Sequence, residues 1–122
     1  MRMWMVPPEI MCNQHLLGEH CELHMFVGAL RMGTRIDGYI RNDLLELHSI
    51  FSRHEELVKE LERRGMCHKS PLILPEEIVE RLSEEYRSHT INRAEALAEL
   101  IKRCKNCRRN YIKFLNERKE MR

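Results

Sequence analysis

Glycine and proline are scarce in this chain, with five and four residues among 122. That is too few for the tight turns of a β-sandwich or barrel. Aromatic residues are thin as well, at 6%, with a single Trp. No apolar run approaches the roughly 18 residues of a membrane span. Met1-Arg2-Met3-Trp4-Met5-Val6-Pro7-Pro8 lacks the apolar stretch of a signal peptide, which points to a cytoplasmic protein without a membrane partner. There is no Gly-rich phosphate loop, no Ser nucleophile motif, no long heptad run and no internal repeat. A net excess of either charge is also nearly missing. The formal net charge is +2, which taken alone argues against a nucleic-acid partner.

What is present is ordinary for a globular protein: 43% hydrophobic and 33% charged residues. The length fits one domain spanning residues 1–122, able to bury roughly two thirds of its unfolded surface. Five cysteines, an odd number, read as thiols or metal ligands in a reducing compartment.

Apolar spacing is helical nearly throughout and predicts an all-α domain of about four helices. The first is expected to open near Pro8 and run to Leu30–Arg31, with Gly33 as its stop and Leu16, Leu23, Val27 and Leu30 on one face. Gly33–Ile40 reads as a loop. Asp43 followed by Glu46 has the form of a capping box, opening a helix with Leu44, Leu47, Phe51, His54, Val58 and Leu61 inward and Gly65 at its end. After a loop at Met66–Leu74, Pro75 opens a short helix with Ile78, Leu82 and Tyr86 inward. Asn92 with Glu95 caps a last helix that carries Leu97, Ile101, Cys104, Tyr111 and Leu115.

The charge is unevenly distributed. Residues 102–122 hold nine Lys or Arg against two acids, a balance of +7, and the remaining 101 residues stand at −5. A basic helix carrying Lys105, Arg108, Arg109 and Lys113, with Tyr111 and Phe114 among the cations, can follow a phosphate backbone and offer a stacking ring. The same pattern also suits a solvated face beside two core aromatics.

On the first helix, His15, Glu19 and Glu22 fall within roughly 60° of one another, bordering the apolar stripe. That is where a cleft wall would lie, and a carboxylate there can hold or donate a proton. It is also an ordinary polar helix edge. Gly18, unfavourable in a helix interior by about 1 kcal/mol, marks a place where another segment can pass close.

The run Gln14-His15-Leu16-Leu17-Gly18-Glu19-His20-Cys21-Glu22-Leu23, continued by Phe26-Val27-Gly28, resembles the pyrimidine-dimer DNA glycosylase family. A second match lies in Arg53-His54-Glu55-Glu56-Leu57-Val58 and Arg63-Arg64-Gly65. The likeness is closest to the short cellular branch and covers the N-terminal half best. It implies a compact helical enzyme that excises a damaged base and then cuts the strand by β-elimination. The implied nucleophile is the N-terminal α-amine, forming a Schiff base with deoxyribose C1′, assisted by a Glu on the first helix. Aligned without a gap, these roles fall on Met1 and Glu22. Arg2, Gln14 and His15 match the family's neighbouring positions, and Glu19 joins them as a substrate-binding candidate. The implied partner is damaged double-stranded DNA, bound by a monomer with its target base turned out of the stack, and no cofactor or metal is implied.

The chemistry suits the resemblance. An α-amine titrates near 7.7–8.0, well below a lysine, so much of it is neutral and nucleophilic at working pH. Arg2 is too large for removal of the initiator Met, so Met1 is expected to remain. Two phosphate-contacting arginines of the phage members fall on Cys21 and Met25, and their aromatic C-terminus is replaced by the basic helix. The lesion is therefore left open among a pyrimidine dimer, another damaged base and an abasic site. Trp4 either stacks on a base or anchors the N-terminal segment against Gly18.

Two further patterns carry less. Cys104 and Cys107 form a Cys-x-x-Cys pair for which Cys67 and His68 are the natural additional zinc ligands. A place for Cys104 on the apolar stripe of a helix favours buried thiols instead. His20 and His24, four apart, can share a metal but lie away from His15. A non-catalytic module that binds nucleic acid through its basic helix is the alternative to an enzyme.

Overall fold

The computed structural model describes residues 1–66 and 70–120. The fold is all-α, with seven α-helices, two 3-10 turns and no strand among the described residues. The helices are α1 (Asn13–Arg31), α2 (Asp37–Arg41), α3 (Ile50–Arg63), α4 (Glu76–Glu80), α5 (Glu84–Ser88), α6 (Arg93–Arg103) and α7 (Lys105–Glu120). None of the described helices is long and apolar enough to cross a membrane.

The expected stripe of α1, Leu16, Leu23, Val27 and Leu30, is buried, and α1 packs against α3. Gly33 and Gly65 take positive φ values of 72° and 81°, the left-handed stops that glycine supplies most readily. Asn92 caps α6, its side chain accepting the Glu95 N–H at 3.0 Å.

Several boundaries differ from the periodicity reading. Pro8–Ile10 is a 3-10 turn, and Met11 and Cys12 are extended, so α1 starts only at Asn13. Burial of Ile10 and Met11, both fully enclosed, holds the chain off the helical path there. Part of the expected Gly33–Ile40 loop is α2, which Ile36 and Ile40 pin to the core. Asp43 and Glu46 do not form a capping box. Asp43 has φ +59° and accepts the Asn92 N–H, while Glu46 points inward to Arg93 and the Ile91 N–H. A 3-10 turn at Leu47–Ser49 precedes α3 instead.

In α3 the inward face is Ile50, Arg53, His54, Leu57, Glu60 and Leu61, and Phe51 is 62% exposed. The short helix after Pro75 is two helices, the second capped by Ser83. Ile78, Leu82 and Tyr86 do pack against the core. The expected last helix is broken at Cys104, whose extended backbone (φ −117°, ψ 113°) separates α6 from α7.

The N-terminal segment is part of the core. Met3 is fully enclosed, and its N–H donates to the Leu44 carbonyl at 2.8 Å. The Glu46 N–H in turn points at the Met3 sulfur.

Candidate active site

Anchoring Met3 against Leu44 brings Met1 and Arg2 alongside the middle of α1. There the Arg2 N–H donates to Glu22 Oε2 at 3.1 Å. Successive backbone nitrogens are at most about 4 Å apart, so covalent geometry holds the Met1 nitrogen within about 7 Å of that oxygen. Met1, Arg2, Trp4, His15, Glu22, Leu44 and Arg103 line a cleft of about 360 Å³.

Two cations frame the cleft. The Arg2 guanidinium lies 3.8 Å from the centre of the Trp4 ring, and that of Arg103 lies 5.3 Å from it. The ring's negative face attracts both. Burial, then the repulsion of Arg103, pushes the Arg2 guanidinium below its ordinary value, yet a guanidinium stays charged. Arg2 Nε is buried with no hydrogen-bond partner among the described residues. Trp4 is 4% exposed, so it anchors the segment and is not an open stacking platform. Among the described residues a Cβ on Gly18 would meet nothing within 4 Å, so none of the described segments passes close to that glycine.

Of the residues singled out from sequence, Met1, Arg2, His15 and Glu22 converge on this cleft. Glu19 does not. It is 1% exposed, and its carboxylate takes two hydrogen bonds from Arg53, at 2.6 and 2.9 Å. The reason is helical phase: Glu19 lies between Leu16 and Leu23 on the buried face. Arg53 also donates to the Val6 carbonyl at 2.7 Å, tying the N-terminal segment to α3. His15 packs edge-on to Trp4, and its Nδ1 lies 3.2 Å from the Cys12 sulfur and 3.8 Å from that of Cys107.

Gln14 lines a separate groove with Arg64, Asn106, Arg109 and Asn110. Lys113 lines the adjoining groove with Arg63, Arg64 and Phe114. Lys105 is exposed at the start of α7. Arg108 is exposed as well, but its guanidinium donates to the Ile101 and Lys102 carbonyls at 2.7 and 3.2 Å, closing the end of α6. Tyr111 and Phe114 are partly buried against the core.

Sequence reasoning missed Arg103 as a cleft residue. Its register within the helix gave no sign that the α6 end meets the N-terminus. It also missed Cys12, whose spacing to His15 matches the Cys104–Cys107 spacing. Among the described residues, two groups have ligand atoms within 4.8 Å of one another: Cys12, His15, Cys104 and Cys107, and separately His20, His24 and His54. The rings of the second group lie 4.9 to 5.1 Å apart. Cys67 and His68, the ligands suggested from sequence, lie outside the described residues.

Among known families, the profile described as pyrimidine dimer DNA glycosylase matches residues 1–74. Neither curated proteins nor solved structures returned a match. The matched stretch contains the N-terminal segment, α1, α2 and α3, and therefore all of the cleft except Arg103.

Proposed function

The chain belongs to the pyrimidine dimer DNA glycosylase family, and from that premise we propose that it excises a damaged base and cleaves the resulting abasic strand through the Met1 α-amine. The observation that carries this reading is the 3.1 Å hydrogen bond from the Arg2 N–H to Glu22 Oε2, which keeps the first peptide on the carboxylate that the family's catalytic Glu aligns with.

In the proposed reaction, the neutral Met1 amine attacks deoxyribose C1′ and the bond from C1′ to the base breaks. Glu22 in its acid form delivers a proton to the departing base or to the ring oxygen. Ring opening gives an iminium, and ionised Glu22 beside it stabilises the positive charge. Loss of a C2′ proton then expels the 3′ phosphate, and water releases the sugar fragment and restores the amine. Arg2 and Arg103 hold phosphates flanking the lesion. His15 forms the opposite wall, with Gln14 one helical step away toward the second groove. Lys105, Arg109 and Lys113 extend the cationic surface along α7, and Arg108 adds charge while fixing the α6–α7 junction. The whole chain acts as one glycosylase-like domain, a monomer on damaged duplex DNA.

Borohydride reduction in the presence of abasic-site duplex tests the mechanism. A covalent adduct mapping to the Met1 nitrogen is expected, and blocking that nitrogen with an N-terminal extension is expected to abolish it. An adduct on a lysine, or none with a free N-terminus, removes Met1 from the role. Salt-sensitive binding with no cleavage of any lesion duplex would leave a non-catalytic nucleic-acid module.

A further inference from the structure

Next to the cleft, and from opposite ends of the chain, two ligand pairs of equal spacing meet: Cys12 with His15, and Cys104 with Cys107. We propose that these four residues form a structural zinc site that staples α7 to the start of α1.

The distances decide among the ways such a cluster can be occupied. Zinc–sulfur bonds of about 2.3 Å and zinc–nitrogen bonds of about 2.0 Å in a tetrahedron set sulfur–sulfur edges near 3.8 Å and sulfur–nitrogen edges near 3.5 Å. Cys12 Sγ and Cys104 Sγ are 3.9 Å apart. His15 Nδ1 is 3.2 Å from Cys12 Sγ and 3.8 Å from Cys107 Sγ. Every edge is within 4.8 Å. A disulfide would need sulfurs about 2.05 Å apart.

Two backbone donors point at these sulfurs. The Cys12 N–H points at Cys107 Sγ at 3.3 Å, and the Cys107 N–H points at Cys104 Sγ at 3.4 Å. Such donors favour a charged sulfur. The first of these also joins the two ligand pairs, since the Cys12 donor serves a sulfur of the other pair.

The broken helix is a third observation. Arg103-Cys104-Lys105-Asn106 contains neither proline nor glycine, and the segments on either side are helical for 11 and 16 residues. Local propensity gives no reason to stop there. Extending the backbone at Cys104 is what brings its sulfur and that of Cys107 to the same point.

On binding, the three thiols release their protons to solvent and His15 binds as neutral imidazole, leaving a centre of net charge −1. Arg64 and Arg109 line the groove that Cys12 also lines and bring positive charge to that side of the cluster. The centre would fix the His15 ring against Trp4 and hold α7, with its cations, beside the N-terminal cleft.

Metal analysis of the untagged full chain, purified under reducing conditions, provides the test. Zinc is expected in the wild type and is expected to fall by one equivalent per chain in C104S/C107S, a difference that any metal on the His20, His24 and His54 group leaves untouched. Should that variant fail to fold, cobalt substitution of the wild type carries the test. Tetrahedral ligand-field bands with thiolate-to-cobalt charge transfer support the site. Absence of metal after exposure to zinc, ligation by nitrogen and oxygen alone, or a disulfide among these cysteines in reduced protein would overturn it.

Discussion

Glu19 and Arg53 form a bidentate ion pair sealed inside the fold, with side chains 0% and 1% exposed. Breaking a buried pair from one side costs about 3–5 kcal/mol, and here the lower end applies because Glu56 still pairs with Arg53 at 2.5 Å. Glu19→Gln is therefore expected to lower the unfolding free energy by roughly 3 kcal/mol, read by urea denaturation. The activity of the fraction that stays folded is expected to be unchanged. A fully stable variant with depressed turnover would instead return Glu19 to the substrate.

Glu22→Gln keeps the shape of the acceptor for the Arg2 N–H and removes the proton. Single-turnover excision on lesion duplex is expected to slow by roughly 10²–10⁴, the range of general acid–base contributions, with duplex affinity unchanged. Turnover at the wild-type rate would exclude Glu22 from the chemistry.

Arg103 reaches the cleft from the far end of the chain, over the Trp4 ring. Its only ion pair among the described residues is with half-exposed Glu99. Arg103→Ala is expected to weaken duplex binding and to reduce the slope of log K against log salt by about 1, as loss of one phosphate contact does. An unaltered slope in a salt titration by fluorescence anisotropy would place Arg103 off the DNA path.

Burial works against ionisation of Glu46, but hydrogen bonds from Arg93, Ser49 and the Ile91 N–H outweigh it and hold the carboxyl down to about 2, below its ordinary 4.5. Folding therefore favours the ionised form. The resulting stability is complete above pH 4.5 and drains away as the pH falls toward 2. Glu60, lowered by hydrogen bonds from Arg63 and Arg64, adds to the acid loss below its ordinary 4.5. Thermal denaturation across this range is expected to show a steeper acid loss in the wild type than in Glu46→Gln, which is less stable at neutral pH. Parallel curves would mean that Glu46 has no part in the acid limb.

Much of this was legible from residue order alone, where the interactions are local. The apolar stripe of α1, the glycine stops and the Asn92 cap each depend on neighbours within a few turns. Of the cleft residues, His15 and Glu22 share a helix edge that spacing alone picks out, whereas Met1 and Arg2 were reached through the resemblance. What could not be read depends on distant partners. Glu19 sits on the buried stripe, but a carboxylate is assigned outward until Arg53, 34 residues on, is known to meet it. The interior of α3 includes Arg53 and Glu60, and polar residues inside shifted the apparent stripe onto exposed Phe51. Periodicity runs straight through Cys104, because what breaks the helix there is a set of sulfur and nitrogen atoms that begins at residue 12.

The burial of Met3, Trp4 and Val6 has a consequence for the order in which the molecule is made. Synthesis delivers these residues before any of their partners. Glu22 follows, then Leu44 and Arg53, and Arg103 comes last. Contacts so far apart along the chain form slowly. Residues 3–6 thus settle only after partners made well after them, and the surroundings of Trp4 are complete only once Arg103 has been made.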